Sequence, residues 1–289
     1  MKEQEEVQLA QDRLDIIKEI EQLEKAGRFD VDPEKDPPTK VLKSNKVDYL
    51  NKKYRSKIKS TVSNQLGKAF LYDLIKTNRL IVKEVKGLEN LENIETGAII
   101  TCNHFNPFDV FAVEKTYRMT KLKKTKKLYK IIREGNYTNF PGFYGFLFRN
   151  SDTLPLSSNK STMVEFMKSV DTILQRGDLI LIYPEQSLWW NYRKPKPLKD
   201  GAFNLAVRNS VPIVPIFITM EDSDITGDDG FPVQAYTVNV LKPIYKDENL
   251  TPKENISTMK EKNYNAWKEV YEDFYKIPLT YTTKNLVIN

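Results

Sequence analysis

Short apolar runs rich in β-branched residues alternate with longer amphipathic segments along the middle of the chain. The runs cover residues 98–102, 179–182 and 211–218, and each is typical of a buried strand. Pro212 and Pro215 favour a strand start or an edge position for the third run. Such strands indicate an open α/β sheet, which binds ligands at the carboxyl ends of its strands.

Both ends of the chain carry helical patterns instead. Residues 8–25 have the apolar spacing of an amphipathic helix, residues 30–39 contain three prolines and are typical of a linker, and the tail from Thr251 predicts another amphipathic helix. Between residues 48 and 77 an apolar residue recurs at every fourth position, in a row that drifts slowly around a helix. That helix either packs on the adjoining domain or lies in a membrane interface.

The chain has a single histidine, His104, which directly follows the first strand-like run. Asn106 suits a helix N-cap and Pro107 the first helical position, which puts Asp109 at the third. A carboxylate at that position can reach back over the turn and orient the imidazole. The pair could then deprotonate a hydroxyl as a general base; the alternative is an ordinary helix start beside a structural histidine.

Four motifs lie along the chain in a fixed order: N-H-x4-D, an apolar stretch ending in arginine, Y-P-E-Q-S with a downstream K-D-G-A-F, and V-P-I-V-P. They occupy residues 103–109, 145–149, 183–187 with 199–203, and 211–215. Over roughly residues 80–240 the chain thereby resembles the glycerolipid acyltransferase family, whose bacterial prototype is 1-acyl-sn-glycerol-3-phosphate acyltransferase and whose third motif is F-P-E-G-T.

The resemblance implies one α/β acyltransferase domain with a central mixed, largely parallel sheet flanked by helices, plus helical N- and C-terminal extensions. It also implies that His104 takes the proton of an acceptor hydroxyl as that oxygen attacks an acyl thioester, while Asp109 holds the ring. The residues that it implies for substrate binding are Arg149, Glu185, Ser187, Lys199 and Gly201. Asn103 and Asn106 would support the loop or the oxyanion.

Arginine binds phosphate through a bidentate fork, and a carboxylate can hold glycerol hydroxyls, which suits Arg149 and Glu185 to an acceptor site. Structural interpretations stay open: Arg149 could simply end an apolar segment, Glu185 could cap a strand end, and residues 199–203 could be an ordinary helix start. A Cys102/His104 nucleophile is disfavoured, because a lone cysteine in a strand is usually a small buried hydrophobe.

The third motif departs from the family pattern. Gln186 stands where the family has glycine, and its Cβ restricts the positive φ that glycine would allow. Ser187 keeps the hydroxyl of the usual threonine. Leu188 replaces the usual arginine and removes a potential phosphate ligand, although basic residues follow at Arg193, Lys194, Lys196 and Lys199. These changes leave the reaction type in place and open the question of the acceptor.

Aromatic residues form two further candidate surfaces. The stretch 140–148 is either core or a lining for an acyl chain or bilayer contact, and Trp189 and Trp190 could be interfacial anchors. The formal charge of +6 is uneven: residues 115–133 hold nine Lys/Arg and no Asp/Glu. Such a run is usually a solvated face, but it could also hold anionic lipid or the phosphates of an acyl carrier.

Composition bounds the remaining possibilities. The N-terminus is too polar for a signal peptide, and no window has eighteen consecutive apolar residues, so we expect a cytoplasmic protein, peripheral on the membrane, without a transmembrane helix. One histidine and one cysteine cannot form a His/Cys metal cluster, and we expect no bound cofactor. No motif for nucleic-acid recognition is present, and the absence of G-x-S-x-G disfavours a serine hydrolase.

Two functions are compatible with these observations: an acyltransferase and a protein without catalytic activity. The first is acyl transfer from acyl-CoA or acyl carrier protein to a lysophospholipid-type hydroxyl, with 1-acylglycerol-3-phosphate as the leading acceptor. A glycolipid or other membrane-linked hydroxyl is the second acceptor class, and a catalytically silent membrane scaffold is the alternative. We divide the chain into an acidic helix and linker, a basic amphipathic helix, the catalytic domain and a C-terminal extension, at residues 1–40, 41–77, 78–245 and 246–289.

Overall fold

The computed structural model describes residues 2–283, with side chains described from Gln8 onward. Its strands are β1 (Ile81–Lys86), β2 (Ala98–Cys102), β3 (Leu128–Ile132), β4 (Thr153–Pro155), β5 (Leu179–Ile182), β6 (Ile213–Thr226) and β7 (Pro232–Val240). Its helices are α1 (Lys2–Lys25), α2 (Tyr54–Lys76), α3 (Glu89–Glu92), α4 (Asp109–Met119), α5 (Glu134–Thr138), α6 (Gly142–Asn150), α7 (Lys160–Gln175), α8 (Gly201–Asn209) and α9 (Pro252–Tyr275). Short 3₁₀ turns lie at Ser44–Lys46 and Lys121–Lys124.

The strands form one sheet in the order β1-β7-β6-β2-β5-β3-β4. All neighbouring pairs are parallel except β6 and β7, which are antiparallel. The prediction of a mixed, largely parallel sheet flanked by helices is therefore confirmed. Because β2, β5 and β3 are adjacent and parallel, the loops that follow their carboxyl ends meet at one edge of the sheet, called here the carboxyl edge.

The central strands are apolar on both faces because helices cover both sides of the sheet. In β2, Ile100 belongs to the core cluster that includes Leu74 of α2 and Val113 of α4, whereas Ile99 belongs to the cluster that includes Phe166 of α7 and Trp267 of α9. Alternate side chains thus enter two separate cores, as strand geometry requires.

Proline is tolerated near the middle of the sheet because of where it lies in β6. Pro215 pairs with Thr101 of β2, and its carbonyl accepts a hydrogen bond from Leu241 N at 2.8 Å. The ladder to β7 begins only at Ile216, so the missing N–H of Pro215 removes no ladder bond. The edge position considered for this run is wrong: β6 lies between β7 and β2.

Helix α2 changes from an exposed to a buried helix along its length. A row of every fourth residue advances about 40° around a helix per step. The exposed fraction accordingly falls from 76% at Tyr54 through 47% at Ile58 to 0% at Leu74. The helix therefore packs on the domain at one end and leaves an apolar row open at the other.

The remaining terminal segments also pack on the domain. Helix α1 buries Ile20 and Leu23, and α9 begins with a capping box in which Thr251 and Glu254 satisfy each other's backbone N–H groups. Within residues 2–283, no helix combines the length and the apolar character that crossing a membrane requires.

Candidate functional site

The loop after β2 carries the histidine and is tied down on both sides. Asn103 is buried, and its side-chain amide exchanges two hydrogen bonds with the backbone of Ile218 in β6, at 2.8 and 3.0 Å. Asn106 Oδ1 accepts a hydrogen bond from Phe108 N at 2.9 Å, as a cap would. The regular helix begins at Asp109, two residues later than predicted, because the residues before it form a turn.

His104 and Asp109 are in direct contact. The imidazole Nδ1 lies 2.8 Å from Asp109 Oδ2, and the His104 side chain stays 22% exposed while the Asp109 side chain is 1% exposed. The same carboxylate oxygen accepts hydrogen bonds from Phe105 N at 3.1 Å and Asn106 N at 3.3 Å. Contact with a carboxylate assigns the ring proton to Nδ1 and leaves Nε2 as the basic nitrogen.

Tyr183, which we did not single out from the sequence, completes this group. Its hydroxyl donates to Asp109 Oδ1 at 2.7 Å, and its ring stacks on the His104 ring with centroids 4.1 Å apart. Burial, together with the neighbouring Asp109 carboxylate, raises the pKa of this hydroxyl well above its usual range, so the hydroxyl remains a donor. The available signal was its place at the head of the third motif, where the family has phenylalanine.

The Glu185 carboxylate is hydrogen-bonded to the backbone of the histidine loop. One carboxylate oxygen accepts from His104 N at 2.9 Å and the other from Lys196 N at 2.7 Å, while the Lys196 ammonium lies 3.5 Å from the carboxylate. Both side chains are almost fully buried, at 2% and 1% exposure. Burial raises the pKa of Glu185 against the opposing influence of Lys196, and burial lowers the pKa of Lys196.

This geometry corrects two of the expected contacts with substrate. The Glu185 carboxylate is enclosed and already bonded, so it cannot reach the hydroxyls of an acceptor and is instead a positioning residue. Ser187 is also buried, and its hydroxyl donates to the Phe29 carbonyl at 2.5 Å. Removing one partner of a buried ion pair costs about 3–5 kcal/mol, so variants at Glu185 would test folding as much as catalysis.

Arg149 makes its described contacts away from the His104 ring, so its role toward substrate remains a prediction. Its guanidinium donates to the carbonyls of Tyr137 and Phe140, at 3.1 and 2.9 Å, and it lines a polar cavity with Asp48 and Asp152. That cavity includes none of the residues around His104, and no contact in the described part of the chain joins Arg149 to them. The arginine lies in the last turn of α6.

Arg133 is the arginine at that edge. It directly follows β3, and its Nη2 donates to the Gln186 carbonyl at 2.6 Å, while its Nη1 pairs with Asp32. The sequence signal for it was its position at the end of a strand-like run inside the basic stretch 115–133.

Lys199 and Gly201 lie farther along the same loop. Lys199 N donates to the Pro184 carbonyl at 2.9 Å, and its ammonium pairs with Asp30 at 3.1 Å, although the side chain remains half-exposed. A side chain at Gly201, the first residue of α8, would meet no neighbouring atom within 4 Å. Neither residue contacts the His104 ring, so their roles toward substrate remain predictions.

The two tryptophans of the third motif are not interfacial anchors. Trp189 is fully buried, stacks on Phe29 with centroids 5.4 Å apart and donates to the Val31 carbonyl at 2.7 Å. Trp190 is buried against Phe231. Both rings are covered because the N-terminal segment folds back over this loop, which the local apolar pattern could not show.

The basic run 115–133 does not form one surface beside the site. Lys126 donates to the carbonyls of Glu95, Thr96 and Gly177, which precede β2 and β5 and so lie at the amino edge of the sheet. Lys130 pairs with Glu114. The lysines of the 3₁₀ turn therefore face away from His104, and Arg133 is the member of the run that reaches the carboxyl edge.

Comparisons with known proteins agree with this fold. A family model described as Acyltransferase matches residues 83–219, a stretch that contains His104, Asp109, Tyr183 and Glu185. The chain is also similar to the crystal structure of the 1-acyl-sn-glycerophosphate (LPA) acyltransferase PlsC from Thermotoga maritima. The TM-score is 0.50 at 17% sequence identity, over 78% of this chain and 85% of that one. That identity supports likeness of fold alone. No curated protein matches the sequence significantly.

Proposed function

We propose that this chain is an O-acyltransferase, because the Acyltransferase family model matches residues 83–219, which contain His104 and Asp109, and from that premise we propose its substrates and its catalytic base. It moves a fatty acyl group from acyl-CoA or acyl carrier protein to a hydroxyl of a lysophospholipid-type acceptor, with 1-acylglycerol-3-phosphate as the leading acceptor. The observation that carries the proposal is the partly exposed His104 ring, held by Asp109 at the carboxyl end of β2.

The proposed reaction follows from the tautomer of that ring. His104 Nε2 accepts the proton of the acceptor hydroxyl while its oxygen bonds to the thioester carbonyl carbon. The tetrahedral intermediate then collapses, the carbon–sulfur bond breaks, and the departing thiolate takes the proton back from the imidazolium. Asp109 stabilises the imidazolium between these steps and remains ionised. The products are an ester and a free thiol, so the proton count balances.

A second acceptor class is supported by the altered third motif. Leu188 stands where the family has an arginine, so one expected phosphate ligand is missing. A neutral membrane-linked hydroxyl, such as that of a glycolipid head group, would not need that ligand. The acceptor panel described below separates the two classes.

Part of the proposal is a peripheral position on the cytoplasmic face of a membrane, because a lipid acceptor must be drawn from a bilayer. The supporting feature is an open apolar face, called here the aromatic face, which consists of Ile58, Val62 and Leu66 on α2 and Phe140, Phe143 and Tyr144 at α6; all are exposed. Phe70 joins this face to the histidine loop, since its ring contacts Phe143 at 5.4 Å and Phe108 at 6.2 Å. Lysines and arginines of α2 flank the row and suit anionic lipid.

The test is turnover by purified protein with labelled acyl-CoA or acyl carrier protein and a panel of phosphate-bearing and neutral acceptors. We expect His104→Ala to lower the rate about 10²–10⁴-fold, the usual contribution of a positioned general base. An unchanged rate would end the proposed mechanism. Absence of turnover with every acceptor, together with retained vesicle binding, would favour a membrane scaffold.

Cys102→Ala is the matched control for a cysteine nucleophile. Burial raises the pKa of the Cys102 thiol well above its usual range, and the sulfur lies inside the core. The thiol therefore stays protonated and inaccessible, and this variant should keep the wild-type rate.

A further inference from the structure

The segment between α1 and α2 crosses the loop that follows β5. We call residues 29–36 the acidic strap, because Asp30, Asp32 and Asp36 lie on it. Phe29 anchors the strap in a small core with Ile20, Leu23 and Trp189. The strap is thus a packed part of the molecule, and its carboxylates are held against the loop.

Asp32 occupies a built oxyanion site. Its Oδ1 accepts a hydrogen bond from Leu188 N at 2.8 Å, and its Oδ2 pairs with Arg133 Nη1. Asp36 Oδ2 lies 3.3 Å from the same nitrogen but makes no bond to the Leu188 amide. The other guanidinium branch of Arg133 is fixed by the Gln186 carbonyl. The Leu188 amide and the Arg133 guanidinium thus converge on one carboxylate. In other proteins, backbone amides and guanidinium groups are also the donors that bind phosphate oxygens.

This oxyanion site adjoins the catalytic loop through the backbone. Trp189 N, one residue after Leu188, donates to the His104 carbonyl at 3.3 Å, and Lys196 Nζ bridges the carbonyls of His104 and Ser187, at 3.4 and 2.7 Å. Arg133 ends the strand next to β5 at the same carboxyl edge. The loop that supplies the Leu188 amide is therefore bonded directly to the loop that supplies the base.

We propose that Arg133 and the Leu188 amide form the site for the phosphate of the acceptor, and that Asp32 is an internal carboxylate which competes for it. This inference rests on the proposed function and names the residues that recognise a phosphomonoester in place of Arg149. A phosphomonoester carries more charge and more acceptor oxygens than a carboxylate. Rotation of the Asp32 side chain would vacate the site while Phe29 stays anchored.

The experiment measures binding of glycerol 3-phosphate by calorimetry, so it needs no turnover. Asp32→Asn removes the carboxylate charge that bridges both donors, while Asp36 keeps its contact with Arg133, and should tighten binding roughly fivefold to tenfold. Arg133→Gln should weaken binding by at least as much, because it removes the charged donor. In turnover assays, Asp32→Asn should lower KM for phosphate-bearing acceptors and leave kcat and neutral acceptors unchanged.

Glu34→Gln is the matched control, because it removes the same charge from the strap at a carboxylate paired with Arg13 and not with Arg133; it should leave binding unchanged. Inorganic phosphate and coenzyme A are titrated in parallel to identify the source of the phosphate. The inference is overturned if Asp32→Asn leaves glycerol 3-phosphate binding unchanged, if it affects coenzyme A alone, or if it impairs phosphate-bearing and neutral acceptors equally. A wild-type rate in His104→Ala would disprove the proposed catalytic base, but the glycerol 3-phosphate binding result would still stand.

Discussion

At the scale of single residues, Asp109 links the His104 ring to two backbone amides of its own loop and to the hydroxyl of Tyr183. Its carboxylate accepts four hydrogen bonds: from the ring, from the Phe105 and Asn106 amides, and from the Tyr183 hydroxyl. The two amides fix its position whether or not the ring is protonated. Tyr183 bonds the oxygen that the ring does not use, so it shares the negative charge that would stabilise an imidazolium.

Tyr183→Phe tests that sharing, since it deletes the hydroxyl and keeps the stacked ring. We expect kcat to fall about threefold to tenfold, the size of one hydrogen bond, with KM unchanged. Tyr137→Phe, whose hydroxyl bonds the Lys46 carbonyl, is the control and should keep the wild-type rate. An unchanged kcat in Tyr183→Phe would show that Tyr183 acts only through packing.

At the scale of elements, the loop between β5 and α8 connects the residues of the candidate site to one another. Within a few residues it supplies Tyr183 to Asp109, Glu185 to the His104 backbone and Gln186 to Arg133. This concentration requires a sharp turn, and Gln186 makes it with a φ of +66°. The family's glycine would adopt that conformation freely, so this chain keeps the backbone geometry at some cost in strain.

Gln186→Gly should therefore leave stability unchanged or raise the free energy of unfolding by up to about 1 kcal/mol, because the strain of a left-handed non-glycine residue exceeds the entropy that glycine loses. Gln186→Ala isolates the backbone effect: it removes the exposed side chain and keeps the Cβ, so it should match the wild type. Both are measured by urea denaturation. A loss of stability in the glycine variant would contradict the strain argument.

At the scale of the whole molecule, the two edges of the sheet differ in character. The carboxyl edge carries the His104 site, and the aromatic face adjoins it through Phe70, whereas exposed lysines of Lys121–Lys124 lie at the amino edge. An orientation with the aromatic face against a bilayer would bring the histidine loop next to the lipid. The basic 3₁₀ turn would then point into solvent.

Vesicle co-sedimentation with anionic lipid tests this orientation. We expect Val62→Glu to weaken binding roughly fivefold or more, because it loses apolar burial and adds a charge that anionic lipid repels. Val164→Glu is the matched control: Val164 is 53% exposed against 46% for Val62, but it lies on α7, which covers the other face of the sheet. Equal losses in the two variants, or binding insensitive to salt, would reject the orientation.

The local sequence pattern was sufficient to predict those features of the structure that depend on residues close together in the chain. The bounds of β2 and β5 follow from their apolar runs, since a strand buried on both faces needs apolar residues at every position. The contact of Asp109 with the His104 ring spans five residues and one turn, so local backbone geometry almost dictates it. For the same reason, the amphipathic patterns of α1, α2 and α9 were sufficient to predict these helices.

What the sequence determined alone is thus the strands β2 and β5, the buried first part of β6, the helices α1, α2 and α9, and the His104–Asp109 pair; what only the tertiary structure decided is which distant residues surround that pair. Arg149 and Arg133 both end an apolar segment, but the strand order puts β3 next to β5, so Arg133 reaches the third motif. Ser187 and Trp189 became buried because a segment about 160 residues away folds over their loop. Such contacts depend on packing between remote segments, and no local pattern of hydrophobic and polar residues records them.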